Sequence, residues 1–210
     1  MKIEVGYFPK RYYSSKPDIS GFFPFALDGE TKYVFDISGF YLPESNDEFI
    51  PSWMTNVKAF PIYFCAGVSN FWQEEFEEEC ATANIRYHCI GNTKDHSVLV
   101  SEIENEKQLK EIFPFFIKLG ASNDLVLWSS NKNVFSLEER EWTGVYEGGI
   151  RKAVVVTMEA DTSIFWIGYD GHSITTISNQ SQFSTYEKIT QTFPEFVIPN
   201  FFKFAEPDLM

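Results

Sequence analysis

The stretch SIFWIGYDGHSITTIS, residues 163–178, decides the fold class. Two runs rich in Ile, Thr, Phe and Trp flank Asp170-Gly171, a pair that accepts the positive φ required at both central positions of a type I′ turn. The stretch therefore predicts an antiparallel hairpin over 163–178. A second hairpin is expected just before it, from 142–146 through Glu147-Gly148-Gly149 to 150–158, with a brief helical turn at 137–141.

Working outward, short strands are expected at 2–8, 32–37, 59–66, 85–90, 96–101 and 125–129. Five prolines and several glycines punctuate the first sixty residues, so only short strands fit there, and Pro24 demotes 22–27 to an edge strand or a packed loop. Three helices interrupt this pattern. In 70–83, Trp72, Phe76, Cys80 and Ala83 form one apolar stripe, with Asn70 and Gln73 spaced as a capping box. Asn105 and Gln108 cap a second helix whose face carries Leu109, Ile112, Phe113 and Phe116, and Pro114 should kink or interrupt it. The third spans 185–192, capped by Ser184 or Thr185. An aromatic tail, 196–204, should pack rather than float.

The fold class is thus α+β, a largely antiparallel sheet with about three helices packed on it, in a single domain over 1–210. A partial internal likeness admits two pseudo-repeated β-α halves. His96-Ser97-Val98 and His172-Ser173-Ile174 each open a strand followed by a helix and a Phe-Pro pair, at Phe113-Pro114 and Phe193-Pro194. In a chain with 22 Phe, coincidence is the simpler account.

Composition bounds the function. With 44% hydrophobic and 22% charged residues the chain is globular, and its 18% aromatic content favours a sheet-rich core. Seventeen Lys and Arg stand against 30 Asp and Glu, a net charge of −13 spread over both halves, which argues against nucleic acid or an anionic membrane as partner. Three cysteines, Cys65, Cys80 and Cys89, lack a disulfide-framework spacing, and no apolar leader or membrane span is visible. A cytoplasmic protein with free thiols is expected.

No signature of an enzyme class with a loud motif occurs. There is no phosphate loop, G-x-S-x-G elbow, H-E-x-x-H, C-x-x-C or H-x-x-x-H spacing, so neither a metal nor a cofactor is expected. The polar candidates for a pocket are His88, Cys89, Asp95, His96 and His172. In a strand His88 and Cys89 would point to opposite faces, and Asp170-Gly171 is explained by turn chemistry, leaving His172 alone at that tip. The remaining signal is acidic. Glu74, Glu75, Glu78 and Glu79, together with Glu77, line the polar side of the first helix as either a solvated face or a docking surface. The expectation is a non-catalytic, acidic protein-binding module that neutralises or regulates a basic protein, as an inhibitor or immunity protein does. The alternative is an enzyme or small-ligand binder with an aromatic-lined pocket.

Overall fold

The computed structural model describes residues 1–18, 23–44 and 48–204. Its strands are β1 (Lys2–Tyr7), β2 (Ala26–Asp28), β3 (Tyr33–Ser38), β4 (Ile62–Ser69), β5 (Arg86–Asn92), β6 (His96–Ile103), β7 (Val126–Ser129), β8 (Phe135–Glu141), β9 (Ile150–Thr157), β10 (Ser163–Ile167), β11 (Ile174–Ser178) and β12 (Ile198–Phe201). The helices are α1 (Phe49–Asn56), α2 (Gln73–Thr82), α3 (Glu106–Ala121) and α4 (Tyr186–Thr190). Nine strands form one sheet in the order β12-β1-β3-β11-β10-β7-β4-β6-β5, and β2-β9-β8 form a smaller one. Pairing is antiparallel except for β1 with β12 and β2 with β9. The fold is therefore α+β, with a mostly antiparallel sheet and helices packed on it.

Strand β4 shows why the sheet is covered on both faces. Ile62, Phe64, Ala66 and Val68 join a core built with α1, α2, α3 and α4, whereas Tyr63 and Cys65 join a second core against the small sheet. A strand buried on both sides reads as a continuous apolar run rather than an alternating one. The molecule is thus layered as helices, large sheet and small sheet. Among the described residues no helix is long and apolar enough to cross a membrane.

The 163–178 hairpin forms as expected, with Ser163 opposite Ser178 and Ile167 opposite Ile174. Its connection spans six residues rather than two: Gly168 N–H donates to the Ser173 carbonyl at 2.9 Å, and inside that closure Asp170 (φ 56°) and Gly171 (φ 69°) make the tight turn. Asp170 is tied to Asn123, beyond α3, by two hydrogen bonds of 2.8 Å. A Cβ on Gly171 would sit 3.3 Å from the Ala121 Cβ and 3.4 Å from Pro43 Cδ. Gly171→Val combines positive φ at a β-branched residue with this crowding, so a loss of on the order of 1 kcal/mol or more is expected in urea unfolding. An unchanged midpoint would contradict it.

Several expectations are corrected. Residues 137–141 are strand, not helix, and 142–146 are not strand: β8 pairs with β9 from Phe135–Val156 to Glu141–Ile150, leaving 142–149 as the connection. The helix-forming composition of Leu137–Glu141 yields to pairing at a sheet edge where Phe135 and Leu137 pack inward. Helix α1 arises in the proline-punctuated region expected to hold only strands. Pro51 lies in its first turn, where the missing N–H has no helical acceptor to lose. Helix α3 runs unbroken through Pro114, which faces outward while Leu109, Ile112, Phe113 and Phe116 are buried on both sides of it. That burial outweighs the roughly 3 kcal/mol cost of an internal proline.

Caps divide in the same way. Asn105 accepts from the Gln108 N–H at 3.1 Å and Thr185 from the Lys188 N–H at 3.3 Å, as expected. Asn70 caps nothing, because Ser69 and Trp72 close a turn after β4 and α2 begins only at Gln73. The tail does pack, as β12 beside β1, although Ile198 and Phe201 remain more than half exposed. The pseudo-repeat is not shown. Pro114 lies inside the sixteen-residue α3, whereas Pro194 follows the five-residue α4.

Candidate functional site

At one end of the space between the two sheets, three connections meet around a cleft of about 690 Å³, within the size range of small-molecule sites. They are the β5–β6 turn, the link from α3 to β7, and the start of β9. The turn is fixed by its own chemistry: Thr93 N–H donates to the His96 carbonyl at 2.9 Å, and His96 N–H donates to Thr93 Oγ1 at 3.1 Å. Asn123, in the left-handed region at φ 66°, reverses the chain after α3 and delivers Asp124. His96 Nε2 and Asp124 Oδ1 then lie 3.0 Å apart.

This contact holds the His96 pKa above the ordinary histidine value, with the hydrogen bond to Asp124 as the largest cause; the charges of Asp124 and Asp95 add to it and partial burial opposes it. On the opposite wall, Lys152 reaches over from β9 and its Nζ donates to the Asn92 carbonyl at 3.1 Å. Val98, Leu125 and Val154 give the cleft an apolar floor, and Trp142 is its one aromatic wall among the described residues.

The five expected pocket residues do not share a site. Asp95 and His96 both line this cleft. His88 lines a separate, smaller cavity of about 170 Å³ with Tyr63, Arg86 and Lys132. Cys89 is exposed on the edge strand β5, its thiol 3.3 Å from the Gly91 carbonyl, and His172 is exposed with its ring against Tyr41 at 5.0 Å. All three cysteines are free. Burial pushes the Cys80 thiol up to about 12 and raises that of Cys65 as well, so neither supplies a thiolate near neutral pH. Among the described residues no group of three or more His, Cys, Asp or Glu side chains is placed to hold a metal ion.

Sequence reasoning missed Asp124, Arg151, Lys152, Lys94 and Trp142. The polar Ser122-Asn123-Asp124 run after a helix signals a turn, but nothing in it signals that the turn faces His96.

The acidic face of α2 is partly retained as an open surface. Glu74, Glu77 and Glu78 are exposed, whereas Glu75 and Glu79 are half-buried. Glu75 is held by Lys118 of α3 at 2.6 Å, so its charge is already matched within the fold. Just ahead of the helix, Phe71 is 81% exposed, with Trp72 edge-on to it at 4.9 Å. Comparison with protein-family models, curated proteins and solved structures finds no match to this chain.

Proposed function

We propose that the protein is an acidic binding module that takes a basic protein partner on the N-terminal half of α2 and so neutralises or regulates it, as an inhibitor or immunity protein would. The observation that carries this is Phe71, an aromatic side chain 81% exposed just ahead of a helix whose Glu74, Glu77 and Glu78 are exposed. An aromatic anchor ringed by charge is the form that an energetically dominant contact takes in many interfaces. The net charge of −13 adds long-range attraction for a cationic surface, acting over a Debye length of about 8 Å at physiological salt. Three free thiols fit a reducing compartment such as the cytoplasm.

Affinity capture from the native cell extract, repeated with Phe71→Ala and with Glu74→Lys/Glu78→Lys, tests the proposal. A basic protein should be captured by the natural chain and lost with both variants, and its association rate should fall as salt rises. The fold should survive, because the buried stripe of Phe76 and Cys80 is untouched. An unchanged set of captured proteins would remove α2 from the interface. A second reading, a small-ligand binder or enzyme, is favoured by the cleft that brings Asp95 and His96 together.

A further inference from the structure

We infer that the cleft between the two sheets takes an organic anion, with its charged end among Lys94, Lys152, Arg151 and His96 and its apolar body against Val98, Leu125, Val154 and Trp142. The inference rests on the second reading above, that the cleft is a ligand site, and names the class of ligand. Charge is its first support. The chain carries 17 basic against 30 acidic residues, yet this cleft is lined by Lys94, Arg151, Lys152 and His96 against only Asp95 and Asp124. A concave, low-dielectric surface focuses such a local excess toward whatever enters it.

Geometry is the second support. The Lys152 ammonium links the small sheet to Asn92 of the large one, so a cation of the cleft lining is held by a carbonyl contact that leaves further ammonium N–H groups for a ligand. The side chains beneath are branched aliphatics that offer no hydrogen bond, which suits a hydrocarbon or aromatic body rather than a sugar. A cation is a poor ligand here. It would meet three basic residues, Lys94, Arg151 and Lys152, in the lining and could approach Asp124 only in competition with His96.

Binding is consequently pH-dependent. The charged groups that share the cleft with His96 are Asp124 beyond α3, in contact with it, Lys94 and Asp95 on its own turn, and Arg151 and Lys152 on β9. The imidazole of His96 is suited to change charge over the range around neutral pH, and its protonated form, favoured by the hydrogen bond to Asp124, is the one that attracts an anion. Affinity should be greatest in the acid part of that range and fall as pH rises through the His96 titration.

Two probes separate the inference from the reading beneath it: 8-anilinonaphthalene-1-sulfonate and N-phenyl-1-naphthylamine share one aromatic skeleton and differ by the sulfonate. Both are titrated against the intact chain by fluorescence, with the site identified from backbone amide shifts at residues 92–96, 123–125 and 151–154. The sulfonate should bind roughly fivefold more tightly or better, lose that margin in Lys94→Gln/Lys152→Gln, and lose its pH dependence in His96→Asn. If the neutral probe binds in the cleft as tightly as the sulfonate, or the charge variants leave the sulfonate unaffected, the cleft remains a ligand site and the anion inference is overturned. If neither probe shifts the cleft amides, both fall. The comparison of the two probes on the natural chain does not depend on any variant folding.

Discussion

Replacement of Trp128 by alanine is expected to cost about 3–5 kcal/mol, a large share of the roughly 5–15 kcal/mol by which an ordinary domain is stable. Trp128 is fully buried on β7, in register with Phe64 of β4 and Phe165 of β10. The three rings stack across three strands, at 5.1 Å and 21° on one side and 5.4 Å and 14° on the other. The ladder continues into the helices, because Phe64 stacks on Phe116 of α3 at 4.3 Å and Phe165 meets Trp53 of α1 edge-on at 5.1 Å. Removing the indole therefore opens a cavity at the point where sheet and helices are joined, and neighbouring rings cannot collapse into it without leaving their own stacks. The indole N–H also points at the Met54 sulfur, 3.2 Å away. Trp128→Phe should cost far less, since it keeps the stack and loses one ring. Urea unfolding of both variants is the measurement, and a loss below about 2 kcal/mol for alanine would show that the core can repack around the gap.

That ladder marks the boundary of what could be read from the sequence. The aromatic excess and the strand-like runs 59–66 and 163–169, which overlap β4 and β10, were visible, because turn residues and apolar runs are local signals. Which rings face one another was not visible, since β4, β7 and β10 are brought side by side only by the crossovers through α2, α3 and the small sheet. Local signals also failed where two of them competed. Pro51 punctuates a strand pattern and equally suits the first turn of a helix, and the run Leu137–Glu141 favours a helix until β9 supplies a pairing partner.

The candidate site was less legible than the fold, for a related reason. Asp95 and His96 could be singled out as titratable side chains near one another in sequence, but their partners come from the end of α3 and from β9. The acidic stripe of α2 could be read from helical spacing. Only the packing of α3 beside it, which places Lys118 on Glu75, distinguishes the carboxylates that remain open from one already paired.

Asp36→Asn should stabilise the protein at neutral pH by up to about 3 kcal/mol and leave it unchanged in acid. Asp36 lies in the interior strand β3, between Gly6 of β1 and Thr175 of β11, and is only 9% exposed. Burial raises its pKa from 3.8 to about 6, against the opposing effect of hydroxyl hydrogen bonds from Ser173 and Ser38. A carboxyl whose pKa is raised on folding favours the folded state when protonated. Its contribution is fully present below about 3.8 and is lost as pH rises through about 6, so at pH 7 the charged side chain opposes folding. Asparagine keeps the shape and a hydrogen-bonding oxygen but never carries the charge. Its advantage should therefore grow between pH 4 and 7, reaching about 6–12 °C in the thermal midpoint for a chain of this size. The cost is borne in the middle of the large sheet, where a Val or Thr would pair without penalty, and among the described residues Asp36 makes no ion pair to offset it. Equal midpoints for the two proteins at pH 7, or a variant less stable there, would mean that Asp36 has a compensating partner when ionised.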